Sequence, residues 1–160
     1  MNMENKPRVS KWILGGYLLL AIMVSGIFIT LALVIPFRSS IGFELFCLLT
    51  IVVVALVCAA PYSLYTTRYV INKGKLSSRS IFASIDIDKK DIAKVEQTRI
   101  PFMFRGFGAG VQSGGFYIPG IGWTKVIMTN LIDGVLLKTK DNKNYLITPS
   151  NPKGFVKLLK

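Results

Sequence analysis

Two long apolar runs constrain this chain before anything else. "WILGGYLLLAIMVSGIFITLALVI", from Trp12 to Ile35, carries no charge, and "IGFELFCLLTIVVVALVCAAPYSL", from Ile41 to Leu64, carries only Glu44 near its start. A bilayer hydrocarbon core about 30 Å thick takes roughly 20 apolar residues in a helix, so both runs are long enough to cross. Helices of a soluble core alternate a polar with an apolar face, and neither run does. A cleavable signal has an apolar stretch of about 7–15 residues followed by small residues at the cleavage point. The first run exceeds that length, shows no such site after it, and leads through "PFRSS" into the second. The chain is therefore expected to divide into a cytoplasmic N-terminal tail at 1–11, a transmembrane helix at 12–35, an external loop at 36–40, a second transmembrane helix at 41–64, and a folded cytoplasmic domain at 66–160.

Local signals fit a helical hairpin. Pro36 disfavours helix at the residue before it, so the first span should stop near Ile35. Ser40 can cap the second, and Glu44 near the positive helix end is better read as an interfacial residue than as part of a transport path. Lys6, Arg8 and Lys11 flank the first span, Arg68, Lys73, Lys75 and Arg79 follow the second, and the loop between them holds only Arg38. Cytoplasmic flanks accumulate Lys and Arg, which places both termini in the cytoplasm of a two-span cell-membrane protein. Cys47 and Cys58 lie eleven residues apart in one span, about 16 Å along a helix, too far to bridge. With no histidine and no other cysteine in the chain, a Cys/His zinc site is excluded. Ala21 with Ser25, Gly26 with Thr30, and Ala55 with Ala59 put small residues one turn apart, a spacing that serves contact between the two spans or a homo-oligomer.

Residues 66–160 read as strands. "RYVINKGKLSSRSIF" gives two β-rich runs around the turn "NKGK", and "SIDIDKKDIAKVEQT" alternates Ile85 and Ile87 with Asp86 and Asp88. The segment Phe116 to Thr129 also reads as strand, followed by "GVLLKTK", the turn "DNKN" and "YLIT". A terminal helix should begin at Pro152, capped by Ser150 or Asn151, with Phe155, Leu158 and Leu159 on one face. Several short strands ended by one helix suggest a small barrel or sandwich with the helix over an open end.

"FRGFGAGVQSGGFY" holds five glycines in fourteen residues and raises the question of a phosphate-binding loop. A P-loop needs Gly-Lys followed by Ser or Thr, and a dinucleotide fingerprint needs Gly-x-Gly-x-x-Gly between strand and helix. Counted from Gly106 the sixth position is Val111, and from Gly108 it is Ser113, so both patterns fail. The glycines are instead expected to supply positive φ, bulges and close approach in a long connection between strands.

The order "YVINKGKL", "IDIDKKDIAKVEQ", "RGFGAGVQSGGFYIPGIGWTKVIMTN" and "GVLLKTKDNKNYLITPSNPKGFVKLLK" resembles the PH-like domain of small prokaryotic membrane proteins. The resemblance rests on Tyr69-x-Ile71-x-x-Gly74, on the glycine-rich middle with Phe116, and on Thr139-x-Asp141-x-x-x-Tyr145-x-Ile147-Thr148-Pro149. It implies a mainly-β fold of two packed sheets capped by a C-terminal helix, joined to membrane spans. It further implies a non-enzymatic binding or scaffold domain, and it brings no site residues and no phosphoinositide specificity with it.

The functional expectations follow. The domain offers no histidine or cysteine, one glutamate (Glu96) and five aspartates, a poor stock for acid–base or nucleophilic chemistry. No catalytic, metal or cofactor site is expected. Asp86 and Asp88 on one strand face form a solvated surface in preference to a metal pair. Sixteen Lys and Arg against six Asp and Glu make residues 66–160 net +10, a charge suited to anionic lipid, an acidic partner or nucleic acid. No base-reading motif supports the last. Arg68, Lys73, Lys75 and Arg79 are the candidate anion contacts at the membrane surface, alongside their role in setting topology. In "IPFMFRGFG", Phe102, Phe104 and Phe107 with Met103 surround Arg105 in an expected loop that either packs over the domain's core or docks on a membrane or partner. The chain is expected to be a membrane-anchored scaffold or adaptor that binds a protein partner or anionic lipid, with a small accessory subunit of a larger membrane transporter or enzyme as the alternative.

Overall fold

The computed structural model describes residues 3–5, 7, 9–34, 40–108 and 112–159. Its elements in chain order are β1 (Met3–Asn5), α1 (Lys11–Val34), α2 (Ser40–Thr66), β2 (Arg68–Asn72), β3 (Lys75–Ser80), β4 (Ala83–Asp88), β5 (Ile92–Arg99), β6 (Phe104–Phe107), β7 (Ser113–Ile118), β8 (Gly122–Ile127), β9 (Asp133–Thr139), β10 (Asn144–Ile147) and α3 (Pro152–Leu159). They form two compact units, one made of residues 11–62 and the other of residues 1–10 together with 63–160.

The helical unit holds α1 and most of α2, and both helices are long and apolar enough to cross a membrane. At 1.5 Å per residue they extend about 36 and 40 Å. α2 runs two residues beyond the expected Leu64. Large apolar side chains such as Leu18, Ile22, Ile29, Leu48 and Leu56 are exposed along both. Thr30 Oγ1 donates to Gly26 O at 2.9 Å and Thr50 Oγ1 to Phe46 O at 2.8 Å. Such bonds satisfy hydroxyls where no water is at hand. Phe28 and Phe46 join the helices with ring centroids 5.7 Å apart. The expected close approach at Gly26 is absent: a Cβ built there would meet nothing within 4 Å. Cys47 and Cys58 are both free thiols on α2. The expected loop at 36–40, with Arg38, falls outside the described residues except for the backbone of Ser40, as do Lys6, Arg8 and the capping side chain of Ser40.

In the β unit, a four-stranded sheet in the order β1-β2-β3-β4 packs on a six-stranded sheet in the order β5-β9-β10-β8-β7-β6. All pairs are antiparallel except β8 with β10. This is the mainly-β sandwich with a C-terminal helix that the sequence leads one to expect. The expected alternation is realised in β4, where Ile85 and Ile87 are buried and Asp86 is exposed. Lys73 and Gly74 both take positive φ, 46° and 78°, the requirement of a two-residue hairpin turn between β2 and β3. Phe116 to Thr129, which reads as strand, is divided between β7 and β8, because Pro119 and Gly120 turn the chain. In α3, Asn151 Oδ1 accepts from Gly154 N at 3.0 Å, the expected cap, and Pro152, Phe155 and Leu159 are buried.

The N-terminal segment is not a tail. β1 pairs with β2 through Met3↔Ile71, Glu4↔Val70 and Asn5↔Tyr69, Pro7 bridges to Pro149, and Ser10 N donates to Thr129 O at 3.0 Å. Residues before α1 and after α2 thus build one β unit, and the two long helices interrupt its chain.

The main core unites Tyr69, Leu76, Ile85 and Ile87 of the smaller sheet with Val95, Ile127, Val135, Leu137 and Ile147 of the larger and with Phe155 and Leu159 of α3. At its centre Tyr69, fully buried, donates to Ile127 O at 3.2 Å and stands edge-on to Phe155 with centroids 6.5 Å apart. Its hydroxyl also lies 3.5 Å from Thr148 Oγ1, which accepts from Thr129 N at 2.7 Å. Burial raises the Tyr69 pKa above its ordinary 10.0, against the opposing effect of the bonds to Thr148 and Thr129. The folded state therefore resists ionising this group. Its contribution is complete below pH 10.0, and it is lost as the pH climbs from there through the raised folded value. Tyr69→Phe should lower unfolding free energy by on the order of 1 kcal/mol at neutral pH and flatten the alkaline decline, as measured by denaturant unfolding of the full chain in detergent. An unchanged alkaline slope in the variant would show that the buried hydroxyl does not govern it.

Candidate functional site

The sequence singled out four basic residues after α2 and an aromatic stretch at 102–107. Arg68 and Arg79 are directly opposite each other across β2 and β3, at the end where the chain leaves α2. Lys73 and Lys75 sit at the turn end of the same hairpin, about 13 Å away by strand rise, and Lys75 lies 3.9 Å from Asp88. The hairpin thus separates the four into two pairs. Asp86 accepts from Ser77 Oγ at 2.6 Å, and no grouping of metal-ligating side chains occurs among the described residues.

The aromatic stretch is a loop only as far as Met103. Phe104–Phe107 forms β6, the end strand of the larger sheet, and its rings do not fold over the core: Phe107 is 68% exposed and Phe104 55%. Register explains the arrangement. Phe104 pairs with Tyr117, Arg105 with Phe116 and Phe107 with Gly115, with a bulge between Arg105 and Phe107. The extra residue, Gly106, brings Phe104 and Phe107 to the same side of the strand despite their odd spacing. Arg105, opposite the buried Phe116, belongs to the other side, where its Nη2 donates to Gly108 O at 2.6 Å. The grouping expected from the sequence therefore splits, with the phenylalanines on one side and the arginine on the other.

What joins the phenylalanines is a pair of residues the sequence reading passed over. Trp123 on β8 stands 58% exposed, with its ring 5.7 Å from Phe107 and 5.9 Å from Tyr117. Phe102, ahead of β6, meets Phe104 edge-on at 4.9 Å. Two glycines beneath make room. A Cβ on Gly106 would come within 2.3 Å of the Trp123 ring, and one on Gly115 within 2.4 Å of the Phe107 ring. The rings thus lie over bare backbone, an outward aromatic layer on the sheet. The alternation Trp123-x-Lys125-x-Ile127 was the signal available: Ile127 is in the core while Trp123 and Lys125 on the same face are exposed. This layer continues the core-bearing face of the larger sheet beyond its packed region.

Beside it lies a hollow of about 400 Å³ lined by Phe107, Gly115, Trp123, Lys125, Lys143 and Tyr145. A second hollow, of about 460 Å³, is lined by Lys75, Asp86, Asp88, Asp91, Asp141 and Lys143 among others. Two of its carboxylates are in ion pairs, Asp88 with Lys75 and Asp141 with Lys143. Lys143 Nζ lies 2.6 Å from Asp141, and Thr139 Oγ1 donates to the same carboxylate. The bonds from Lys143 and then Thr139 hold the Asp141 carboxyl below the usual range, and the bond to Asp141 raises Lys143. No group of metal-ligating side chains occurs there among the described residues, and the exposed rings of the aromatic layer are the stronger candidate for a binding surface.

The glycines of β7 differ in what they tolerate. Gly114 has φ 133° and a Cβ there would strike Phe107 O at 2.4 Å, whereas the neighbour in the way at Gly115 is a side-chain ring that can swing aside. Gly114→Ala should cost about 2 kcal/mol or more and Gly115→Ala about 1 or less, with near-UV circular dichroism of the aromatic layer altered in the second. Equal losses in denaturant unfolding would refute this account of the layer.

The model of the bacterial PH domain matches residues 67–160, more than half of the chain. No curated protein and no solved structure matches it. Domains of this kind are generally non-catalytic. By this match, and by the two packed sheets closed with a C-terminal helix, the chain belongs to the bacterial PH domain family.

Proposed function

We propose that this protein is a non-enzymatic scaffold or adaptor, held in the cell membrane by α1 and α2, whose PH-like domain binds a protein partner or anionic lipid at the inner face. The observation that carries this reading is the aromatic layer of Phe104, Phe107, Tyr117 and Trp123, left exposed on the face that elsewhere forms the core. Soluble proteins seldom leave a contiguous apolar surface open unless something docks on it. The charge of +10 over residues 66–160 adds long-range attraction for an acidic partner or an anionic leaflet.

Sidedness follows from two supports. Lys and Arg gather at the outer flanks of the helices, and only Arg38 lies between them. In addition, β1 before α1 and β2 after α2 share one sheet. One folded unit cannot stand on both sides of a membrane, which calls for an even number of crossings and both flanks on one side, and the Lys and Arg distribution favours the cytoplasmic one. Arg68 and Arg79, at the end of the hairpin next to α2, are the proposed headgroup contacts, with Lys73 and Lys75 at its far end in a lesser role.

A photoreactive phenylalanine analogue placed at Phe107 or Trp123 of the full-length protein in living cells should give discrete adducts to protein or lipid. The same analogue at Lys138, on the opposite face, should give none. Absence of any adduct at 107 and 123 would overturn the scaffold reading. Adducts that instead arise only from positions in α1 and α2, to one large membrane protein, would favour the accessory-subunit role.

A further inference from the structure

We infer that the aromatic layer is a docking face for the anionic leaflet itself, an inference that rests on the scaffold reading and names what occupies its surface. The layer mixes Phe104, Phe107, Tyr117 and Trp123, residue types that settle at the boundary between headgroups and hydrocarbon. Lys125 shares the face, two residues along β8 from Trp123, and faces Gly115 across the pair. No Asp or Glu occurs in β6, β7 or β8, and Lys125 is the cation that these strands place on the face of the rings. An apolar surface with a cationic accompaniment is what an anionic leaflet complements. A second copy is disfavoured as occupant, because the same face would offer no carboxylate from β6, β7 or β8 to meet Lys125. A single residue, Thr67, separates α2 from β2, so a leaflet reached by α2 is also the nearest large anionic surface to the domain. The contact is a broad one: exposed rings set over Gly106 and Gly115 make a surface in contrast to a deep headgroup pocket.

The chain contains two tryptophans, so Trp12→Phe leaves Trp123 as the sole reporter. The full-length variant is reconstituted into vesicles of phosphatidylcholine alone and into the same vesicles enriched in phosphatidylglycerol. In the anionic vesicles Trp123 emission should move to shorter wavelength, acrylamide quenching should fall about twofold or more, and lipids brominated on the acyl chains should quench it. Lys125→Glu should reverse these changes while leaving the spectrum in phosphatidylcholine as it was. The inference is overturned if Trp123 is equally open to acrylamide in both vesicles and untouched by brominated lipid. In that event a photoadduct to a protein at residue 107 or 123 would keep the scaffold reading with a protein as occupant, and its absence would remove both.

Discussion

The β unit depends on one buried side chain. Tyr69 leaves the smaller sheet, reaches Ile127 O in the larger with its hydroxyl, and sets its ring against Phe155 of the terminal helix. Two sheets and a helix thus share one anchor. The apolar ring supplies burial, and the hydroxyl obliges the opposite sheet to place an acceptor at one fixed point, since an unsatisfied hydroxyl there would be costly. Thr148 and Thr129 complete the network through Thr129 Oγ1 to Thr148 O at 3.2 Å and Thr129 N to Thr148 Oγ1. Tyr69 and Thr148 are also among the residues that carry the family resemblance. The motif is therefore a packing instruction, which explains why it identifies a fold without naming a ligand.

The N-terminal strand adds to this frame. Because β1 lies beside β2 and Ser10 bonds to Thr129, the chain returns to the same domain before and after the two long helices. Removing a pair of helices from such a chain leaves a nearly continuous β fold. The helical pair reads physically as an insertion into the domain, in place of an anchor appended to one end.

Much of this was legible in the residues. Charge-free runs of more than twenty residues specify long apolar helices with little room for ambiguity, and Asn151 followed by Pro152 marked the start of α3. The alternation of Ile85 and Ile87 with aspartates marked β4 because period two is a local property. The misreadings had a common cause. Phe104 to Phe107 read as a loop because glycines adjoin it, yet glycine in an end strand is what a bulge and overlying rings require. Met3 to Asn5 read as a tail since three polar or flexible residues carry no strand signal until β2 offers an edge. Trp123 was missed because its neighbours, Phe107 and Tyr117, come from two other strands.

Order within each segment was settled locally: which residues favour lipid, which alternate in a strand, which open and close a helix. Those preferences act over a few residues and are written into their types and spacing. Tertiary structure alone decided that Gly106 and Gly115 lie under aromatic rings, that Arg105 parts from its neighbouring phenylalanines, and that Arg68 faces Arg79 while Lys73 and Lys75 stand apart. Each of these depends on strand register, and register is a relation between distant segments that neither one contains by itself.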